Sequence, residues 1–455
     1  MRGPGAAALA LWLAAACNSG DAPAPELQAL RLPTGARLAP DGDWLFVANS
    51  NLDLAVLNST LVAISLKALH AGLAAPLPVN TEFTASAPCR WIDGPDERTI
   101  VECDPARLIT REHSLQLPSG AGNIALDLPA GPDGPWRLLV PSSLERLISW
   151  IDVRADGDGI VMDCGQDAAG QCSTDFSLAG LRPDASRLTV DPQARVAYLP
   201  HLLGGAFTLI DLDGDGGPAI AEVRDDEGLF ISTGQQFFGG FSATVRPCDP
   251  AAAPRITQEC TRPLIYVTQR FWAGLRTFSV NPGLRRILAF GAGLGSIQLQ
   301  NVDKTLLGDR PLTGDAAFED AAGERLLVVH TTPPALARVD TSLGPTGDPK
   351  NLEVAVIPLC RNPNLLALHQ PPDGEALAFV SCYSDAQIAV IALANFSAIA
   401  TLDVEAGPNE LIVDAARRKL YVVQTMASTI GIIEIDPRVP EYLQVIGRVG
   451  LGDEP

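Results

Sequence analysis

Residues Glu410–Asp436 read ELIVDAARRKLYVVQTMASTIGIIEID, and this stretch decides the fold. It contains three short apolar runs, separated by the polar turns DAARRK and QTMAST. Runs this short, rich in Val, Ile and Tyr and bounded by polar turn residues, are typical of β-strands. The stretch therefore predicts three antiparallel strands in succession, with the second strand ending at the polar residue Gln424.

The same order of elements recurs along the chain. Six further copies begin at Ala36, Asn123, Leu188, Ser242, Ala316 and Leu365. Links such as HSLQLPSGAGN and IATLDVEAGPN add a fourth strand to each unit. Four-stranded antiparallel sheets that cannot bury their own faces pack radially around an axis. The sequence therefore predicts an all-β fold, a single seven-bladed β-propeller over residues 26–455, with its largest insertion between Ala68 and Ser114.

Closure of the ring is left open by the sequence. Both LQALRL near the start of the repeats and LQVIGRV near the end of the chain have the pattern of an outer strand for the last blade. We expect one of the two to complete that blade.

The strand phrases carry a family resemblance. PDGDWLFVAN, PLIYVTQ and RRKLYVVQT resemble the YVTN repeats of bacterial extracytoplasmic propellers, which include lactonase-like proteins. Where those repeats close on Asn, this chain has Asn49, Ser142, His201, Gln269, His330, Cys382 and Gln424. The resemblance implies that a lactonase-like member would use Glu, His and Arg side chains near the axis to polarise a lactone carbonyl and activate water. We expect His201 and His330, at second-strand ends, to be core or rim residues instead.

Composition limits the function classes. The 455-residue chain has 33 basic and 53 acidic residues, a formal net charge of −20. Nucleic-acid binding requires Lys and Arg to neutralise phosphates, so this balance argues against a nucleic-acid partner. Hydrophobic residues make up 47% of the chain, which also has 41 Gly and 37 Pro. This combination favours many short buried strands joined by tight turns.

The first 25 residues have the pattern of an export signal followed by a tether. Arg2 precedes an apolar run that ends in LAAAC at Cys17, which resembles the lipobox of bacterial lipoproteins. We predict a signal peptide over 1–16, lipid attachment at Cys17 and a flexible tether over 17–25. Asn18 resembles the subset sorted to the outer membrane. The lipoprotein interpretation predicts a lipid-anchored protein of the bacterial cell envelope, at the outer membrane and facing the periplasm or the cell surface. The alternative is an ordinary secretory signal cleaved nearby.

The remaining cysteines form an even set. Nine cysteines less Cys17 leave eight, in four local couples: Cys89 with Cys103, Cys164 with Cys172, Cys248 with Cys260, and Cys360 with Cys382. We predict a disulfide in each couple, which agrees with an oxidising compartment. The first three would close loop insertions, and the fourth would cross-link adjacent strands. The absence of a C-x-x-C pair in the sequence argues against a thiolate metal site.

One acidic segment matches a calcium loop. DLDGDGGPAIAE, residues 211–222, fits the pattern D-x-D-x-D-G-x5-E, with Asp211, Asp213, Asp215 and Glu222 as oxygen ligands. The loop follows a strand instead of a helix, so an acidic hairpin turn is the alternative. A second acidic set with looser spacing comprises Asp152, Asp156, Asp158 and Asp163. We expect no required cofactor, with structural calcium as an option.

Two functions from different classes follow. The favoured hypothesis is a lipid-anchored, non-catalytic scaffold that binds an envelope protein or an extracellular ligand and meets the membrane through its anchor alone. The alternative is a periplasmic lactonase-like hydrolase with its site at the propeller channel. The inner-strand cores IALDL, LTVD, SATV and LLALH show few candidate catalytic residues, and neither G-x-S-x-G nor H-E-x-x-H occurs in the sequence.

Overall fold

The computed structural model describes residues 22–451 except for short internal segments. These segments are residues 76, 80–81, 85, 93–99, 129–133, 186, 203–204, 226–231, 234–235, 238, 248–260, 270–273, 289–295, 299–311 and 372–373. The predicted signal peptide with Cys17 and the predicted Cys248–Cys260 pair lie outside the described residues.

Seven antiparallel sheets follow one another along the chain, as predicted, and are numbered here as blades 1 to 7. Within each blade, successive strands pair side by side from the innermost to the outermost. The strands of blade 1 are Pro33–Leu38, Trp44–Asn49, Ser59–Ser65 and Ser114–Leu117. Those of blade 2 are Ala125–Asp127, Trp136–Ser142, Leu147–Asp156, Gly159–Asp163 and Ser177–Leu178. Those of blade 3 are Thr189–Asp191, Val196–Pro200, Phe207–Asp211 and Ala219–Arg224.

The strands of blade 4 are Gly240–Val245, Leu264–Gln269, Gly274–Asn281, Arg286–Leu288 and Ser296–Gln298, and those of blade 5 are Leu312–Phe318, Arg325–Thr332, Ala335–Asp340 and Leu352–Pro358. The strands of blade 6 are Pro363–His369, Leu377–Cys382, Gln387–Ala392 and Ser397–Asp403. Those of blade 7 are Pro408–Asp414, Lys419–Gln424, Thr429–Glu434 and Val445–Val449. A two-stranded hairpin, Ser232–Thr233 with Gln236–Phe237, lies between blades 3 and 4 in the chain. The described helices are α-helices Leu66–Ala74 and Pro105–Leu108 and 3-10 turns Arg111–His113 and Thr174–Phe176.

The hydrophobic core lies between the blades. Each of seven apolar clusters joins side chains of two consecutive blades, and one of them joins Val47 of blade 1 to Val423 of blade 7. Both faces of the middle strands are covered, so strands such as Trp44–Asn49 and Leu377–Cys382 are buried at every residue. This is why these strands read as continuous apolar runs and not as alternating ones.

The C-terminal strand completes the last blade. Val445–Val449 pairs with Thr429–Glu434, whereas LQALRL lies in a turn region before the first strand of blade 1. Blade 7 is therefore built from one end of the chain. Side chains tie it to blade 1: Thr425 Oγ1 donates to the Pro33 carbonyl at 2.6 Å, and Asn409 Nδ2 donates to the Thr34 carbonyl at 3.1 Å.

The insertion of blade 1 reaches across this junction. Its strands Cys89–Trp91 and Val101–Cys103 form a disulfide-bonded pair, which we call the clasp. Val101–Cys103 pairs in parallel with the outer strand of blade 7 and extends that sheet to six strands. Glu102 of the clasp is buried and accepts hydrogen bonds from Arg448 of blade 7 at 2.6 Å and from Arg90 at 3.0 Å. The clasp therefore holds the two ends of the ring together.

Two further predicted disulfides are present. Cys164–Cys172 closes a loop at the outer edge of blade 2. Cys360–Cys382 also forms, but our expectation that it cross-links adjacent strands is wrong. Cys360 follows the outer strand of blade 5, and Cys382 ends the second strand of blade 6. The bond therefore ties the connection between two blades to the second of them.

No helix among the described residues is both long and apolar enough to cross a membrane.

Candidate functional site

The inner strand of every blade contains a β-bulge. In blade 7, Pro408 pairs with Gln424 and Leu411 with Val422, so three steps on the inner strand match two on the second. The same one-residue excess occurs in the other six blades. Because a bulge leaves one residue unmatched in the ladder, it can re-aim a side chain.

The bulges place one residue of each blade at a common level around the axis. In each blade, one inner-strand residue pairs with the end of the second strand, and the residue in question lies two positions after it. In blade 7, for example, Pro408 pairs with Gln424, and the residue two positions later is Glu410. In chain order the residues at this level are Gly35, Asn123, Arg187, Ser242, Asp315, Leu365 and Glu410. We call this set the channel ring.

The channel ring lies at one end of a cavity of about 540 Å³ at the centre of the propeller. The polar ring members Asn123, Arg187, Ser242, Asp315 and Glu410 line it. The other lining residues follow the ring position in sequence, so the cavity extends from the ring along the inner strands. Its lining is more polar than apolar: it includes Arg37 besides apolar side chains such as Leu126, Val190 and Leu368.

An ion pair joins opposite parts of the ring. Both guanidinium nitrogens of Arg187, in blade 3, donate to the two carboxylate oxygens of Glu410, in blade 7, at 2.9 Å each. Burial disfavours the charged form of Arg187, but attraction to Glu410 and Asp315 outweighs burial and raises the pKa of this arginine. Bidentate pairs of this kind are rigid as well as strong. The pair therefore forms a fixed, charge-balanced element at the ring end of the cavity.

Asp315 supplies a second carboxylate at the same level. Its Oδ1 accepts hydrogen bonds from Ser242 Oγ at 2.5 Å and from the Ala316 amide at 3.0 Å. Its Oδ2 accepts no hydrogen bond from the described part of the chain and is not sealed from solvent. One carboxylate oxygen is thus oriented by the protein while the other is free to meet a ligand or water.

Arg37 is the accessible cation of the site. Its side chain lines the cavity and is accessible to solvent. Its guanidinium donates no hydrogen bond to any described residue. Desolvation by the channel walls lowers the pKa of Arg37, attraction to Glu410 opposes this shift, and repulsion from Arg187 adds to it. An arginine stays charged at neutral pH in such a setting, so Arg37 presents an unpaired positive charge to the cavity.

Sequence reasoning missed this cluster. The apolar cores of several inner strands begin just after the ring position, so the ring residues of those strands lie outside them. Arg187 directly precedes the core LTVD, and Asp315 directly precedes the fifth repeat. The signal that finds the cluster is the residue type at one fixed repeat position, compared across the seven copies. That comparison places Asn, Arg, Ser, Asp and Glu at the position in five blades.

The structure buries both predicted core histidines. His201 Nε2 lies 2.8 Å from Thr208 Oγ1 and its Nδ1 lies 3.2 Å from the Pro183 carbonyl. Neither ring nitrogen of His330 has a partner among the described residues. Burial lowers the pKa of each histidine to about 4. Neither lines the channel cavity, so neither is a candidate for its chemistry.

The residues of the predicted calcium loop engage arginines and backbone. Arg285 lies 3.0 Å from Asp211 and 3.3 Å from Asp213, and Arg195 donates to Asp213 at 2.9 Å. Glu222 accepts from the Ile287 amide at 2.5 Å. In the part of the chain that the structure describes, no three His, Cys, Asp or Glu side chains are grouped to hold a metal ion. This arrangement matches the acidic-turn alternative, and calcium binding through Asp211, Asp213, Asp215 and Glu222 stays a prediction.

The second acidic set is also divided among ion pairs. Asp152 accepts from Arg137 at 2.7 Å and 3.1 Å, and Asp163 lies 3.8 Å from Arg154. The carboxylates thus balance cations along the outer strands of blade 2.

The fold defines the class of protein: a seven-bladed β-propeller of four-stranded antiparallel blades with a polar site at its centre. No family model matches the chain, and no curated protein sequence matches it.

Solved structures share the fold at low sequence identity. One is the periplasmic gluconolactonase of Pseudomonas aeruginosa, with a TM-score of 0.52 and 12% identity over 75% of this chain and 88% of that one. A 6-phosphogluconolactonase candidate from Bacteroides fragilis has a TM-score of 0.52 and 11% identity over 76% and 89%. Hydrazine synthase of Kuenenia stuttgartiensis has a TM-score of 0.53 and 12% identity over 90% and 97%. Lactonase-like propellers are therefore among the structural neighbours of this protein.

Proposed function

We propose that the protein hydrolyses a small polyhydroxylated lactone of the sugar-acid type in its central channel. The observation that carries this proposal is that Arg37, Asp315 and the Arg187–Glu410 pair line the same cavity. A volume of about 540 Å³ lies within the range of small-molecule sites. The polar lining suits a ligand with many hydroxyl groups.

The roles follow from which groups are free. Arg37 has an unpaired guanidinium, so it binds the lactone carbonyl oxygen and stabilises the negative charge that develops on it. Asp315 has a free Oδ2 and an Oδ1 held by Ser242, so it orients a water molecule and accepts its proton. The water oxygen bonds to the carbonyl carbon, and the ring C–O bond then breaks. The proton passes to the departing ring oxygen, which leaves an open-chain hydroxy acid.

The ion pair has a positioning role. Both oxygens of Glu410 accept hydrogen bonds from Arg187, so this carboxylate is held in one orientation. The pair lines the cavity and offers hydrogen-bond acceptors to substrate hydroxyls. Asn123 is committed to structure, since its side chain donates to the Leu188 carbonyl and accepts from the Leu188 amide at 3.0 Å each.

The structural neighbours support this choice to a limited extent. A periplasmic gluconolactonase has the same fold, as does a hydrazine synthase, so the fold hosts unrelated chemistries. The argument therefore depends on the channel residues of this chain.

The scaffold hypothesis has less support from the described loops. The clasp pairs with blade 7, and the Cys164–Cys172 loop lies against blade 1, where the Gln116 amide donates to the Gly170 carbonyl at 2.7 Å. These two insertions are occupied by contacts within the molecule. Lipid attachment at Cys17 and an outer-membrane address remain part of our proposal, supported by the LAAAC sequence and by disulfides that need an oxidising compartment.

The test is hydrolysis of glucono-1,5-lactone by the full chain. The rate is measured as the amount of base needed to hold the pH constant while the acid product forms. We expect saturable hydrolysis above the uncatalysed rate. Arg37→Gln and Asp315→Asn should each lower kcat/KM by about 10²- to 10³-fold, the loss typical of one charge-stabilising or proton-transfer group.

Matched controls come from the surface pair Arg361 and Asp385, whose arginine is 78% exposed. Arg361→Gln and Asp385→Asn should leave kcat/KM unchanged. Equal rates for the channel variants and the wild type would refute the assignment of Arg37 and Asp315. Titration calorimetry with gluconate then separates the binding site from the proposed mechanism. If gluconate binds and Arg37→Gln weakens that binding, the channel is still the ligand site and only the proposed hydrolysis is wrong.

A further inference from the structure

Several exposed apolar side chains lie in neighbouring blades on one face of the propeller. Second strands end on this face and third strands begin there; we call it the lower face. Thirteen large hydrophobic side chains are exposed among the described residues. Six of them lie in lower-face turns or at the end of the last strand, in the consecutive blades 7, 1 and 2: Leu52, Leu54, Leu57, Leu144, Met426 and Leu451. We call this set the apolar arc.

Hydrogen bonds show that blades 7 and 1 contribute neighbouring parts of the arc. The Leu32 amide, just before blade 1, donates to Ser428 Oγ in the turn that carries Met426, at 3.1 Å. A Cβ on Gly450 would lie 2.9 Å from the Ser428 carbonyl oxygen, which places Leu451 beside the same turn.

Blades 1 and 2 are joined in the same way. Asn51 Nδ2, in the turn that carries Leu52 and Leu54, donates to Ser119 Oγ at 3.2 Å, and that hydroxyl donates to the Leu57 carbonyl at 3.1 Å. The adjoining Gly120 lies against the turn of blade 2, since a Cβ there would be 2.7 Å from Leu144 Cγ. The turns that carry the apolar arc are therefore neighbours around the lower face, and the exposed Arg31–Asp53 ion pair lies among them.

The extent of the arc calls for a partner. Single exposed hydrophobic residues are ordinary on protein surfaces. Contiguous apolar patches are uncommon on monomers and mark interaction sites. Arc residues are 45–60% exposed, and they stand in turns where packing within the blade does not require a large apolar side chain.

The start of the described chain indicates the occupant. The Leu57 amide donates to the Pro23 carbonyl at 3.0 Å, so the chain enters the propeller at the lower face, beside the arc. Cys17 precedes Pro23 by six residues, which span at most about 20 Å when fully extended. A lipid on Cys17 would therefore hold a bilayer surface next to the arc.

We propose that the apolar arc docks on the surface of a lipid bilayer and holds the propeller with its lower face against the membrane. The net charge of −20 gives no electrostatic attraction to anionic headgroups, so binding depends on shallow insertion of Leu and Met side chains. Inner strands run from the lower face to the upper face, and the cavity extends in that direction from the channel ring. Docking thus directs the part of the cavity that lies beyond the ring away from the membrane. The inference rests on the proposed lipid attachment at Cys17.

The experiment compares hydrogen exchange of the lipidated full chain on phosphatidylcholine vesicles with that of the Cys17→Ser chain free in solution. We expect the turns 50–58 and 425–428 to exchange at least about fivefold more slowly on vesicles. Upper-face turns carrying Leu128 and Leu284 should exchange at equal rates in both states and serve as internal controls.

Variants isolate the apolar contribution. Binding of the Cys17→Ser chain to the same vesicles is measured by co-sedimentation. The triple variant Leu52→Ser, Leu54→Ser, Met426→Ser should bind at least about a hundredfold more weakly. Each inserted side chain contributes up to about tenfold in affinity. The matched double variant Leu128→Ser, Leu284→Ser should bind as the parent does.

Two results on vesicles would overturn the inference: an unchanged exchange rate at the arc, or slower exchange at the upper face. A third would be slower exchange at the arc as protein concentration increases without vesicles, which would indicate contact with a second copy of the chain. Mass spectrometry of the N-terminal peptide tests lipidation separately. The lactone assay is independent of all these results, so failure of docking and failure of the proposed activity are distinguishable.

Discussion

His330 predicts a specific loss of stability in mild acid. The side chain is fully buried in blade 5, both ring nitrogens lack a partner among the described residues, and burial lowers its pKa to about 4. At the equivalent position Asn49 and Gln424 face Thr60 and Thr429, whereas His330 faces Ala335, which offers no side-chain hydrogen bond. His330 is therefore held in the neutral form.

The sign follows from proton linkage. An unfolded histidine has a pKa near 6.5, above the folded value of about 4, so the unfolded state binds the proton first as pH falls. The free energy of unfolding is unaffected by this group above pH 6.5 and decreases between pH 6.5 and pH 4. With those two pKa values, the loss at pH 4.5 is about 2–3 kcal/mol.

The test replaces His330 with Gln, the residue at the same repeat position of blades 4 and 7. Urea unfolding followed by circular dichroism gives the free energy of unfolding at pH 7.5 and pH 4.5. We expect the difference in the free energy of unfolding between the two pH values to be smaller in His330→Gln than in the wild type by about 2–3 kcal/mol. Carboxylate titration affects both proteins equally and cancels.

A companion variant checks the reasoning. His201, in blade 3, is also fully buried, with a pKa lowered to about 4 by burial. His201→Gln should remove a similar pH-dependent loss, and the double variant should remove the sum, because the residues lie in separate blades. An identical decrease in stability between pH 7.5 and pH 4.5 for wild type and His330→Gln would refute the argument.

Three other predictions concern the ring and its loops. Cys89→Ala with Cys103→Ala should lower the free energy of unfolding by about 3 kcal/mol in urea, because the bond closes a loop 14 residues long; an unchanged midpoint would show that the clasp does not hold the ring. Gly35→Ala should cost about 1–3 kcal/mol in the same assay, since its Cβ would lie 2.5 Å from the Gly122 carbonyl oxygen; a neutral effect would contradict the close approach of blades 1 and 2. Calcium should leave the melting temperature unchanged because Asp211 is paired with arginine; a rise that Asp211→Asn abolishes would restore the calcium-loop hypothesis.

The candidate site shows where sequence reasoning ended. Repeat comparison located all seven inner strands and the closing positions of the second strands, because strand patterning is local. It did not predict that a one-residue bulge in each inner strand would aim Arg187, Asp315 and Glu410 at the axis. Those residues come from blades 3, 5 and 7, so their proximity depends on closure of the ring.

The cysteines show the same division. Spacing alone paired Cys89 with Cys103, Cys164 with Cys172, and Cys360 with Cys382, since short loops favour local bonds. Spacing could not show that the first pair would sit on blade 7, because a parallel pairing with the C-terminal strand is remote in sequence.

The sequence by itself determined the class of fold, the number of blades and three disulfides, because each of these depends on short-range patterns of apolar and polar residues or on short cysteine spacings. The tertiary structure alone decided which terminus completes the last blade, what the clasp binds, which charged residues meet in the channel, and that the apolar turns of three blades are neighbours on one face. These features join residues tens to hundreds of positions apart, and only the packing of seven sheets around a common axis brings such residues together.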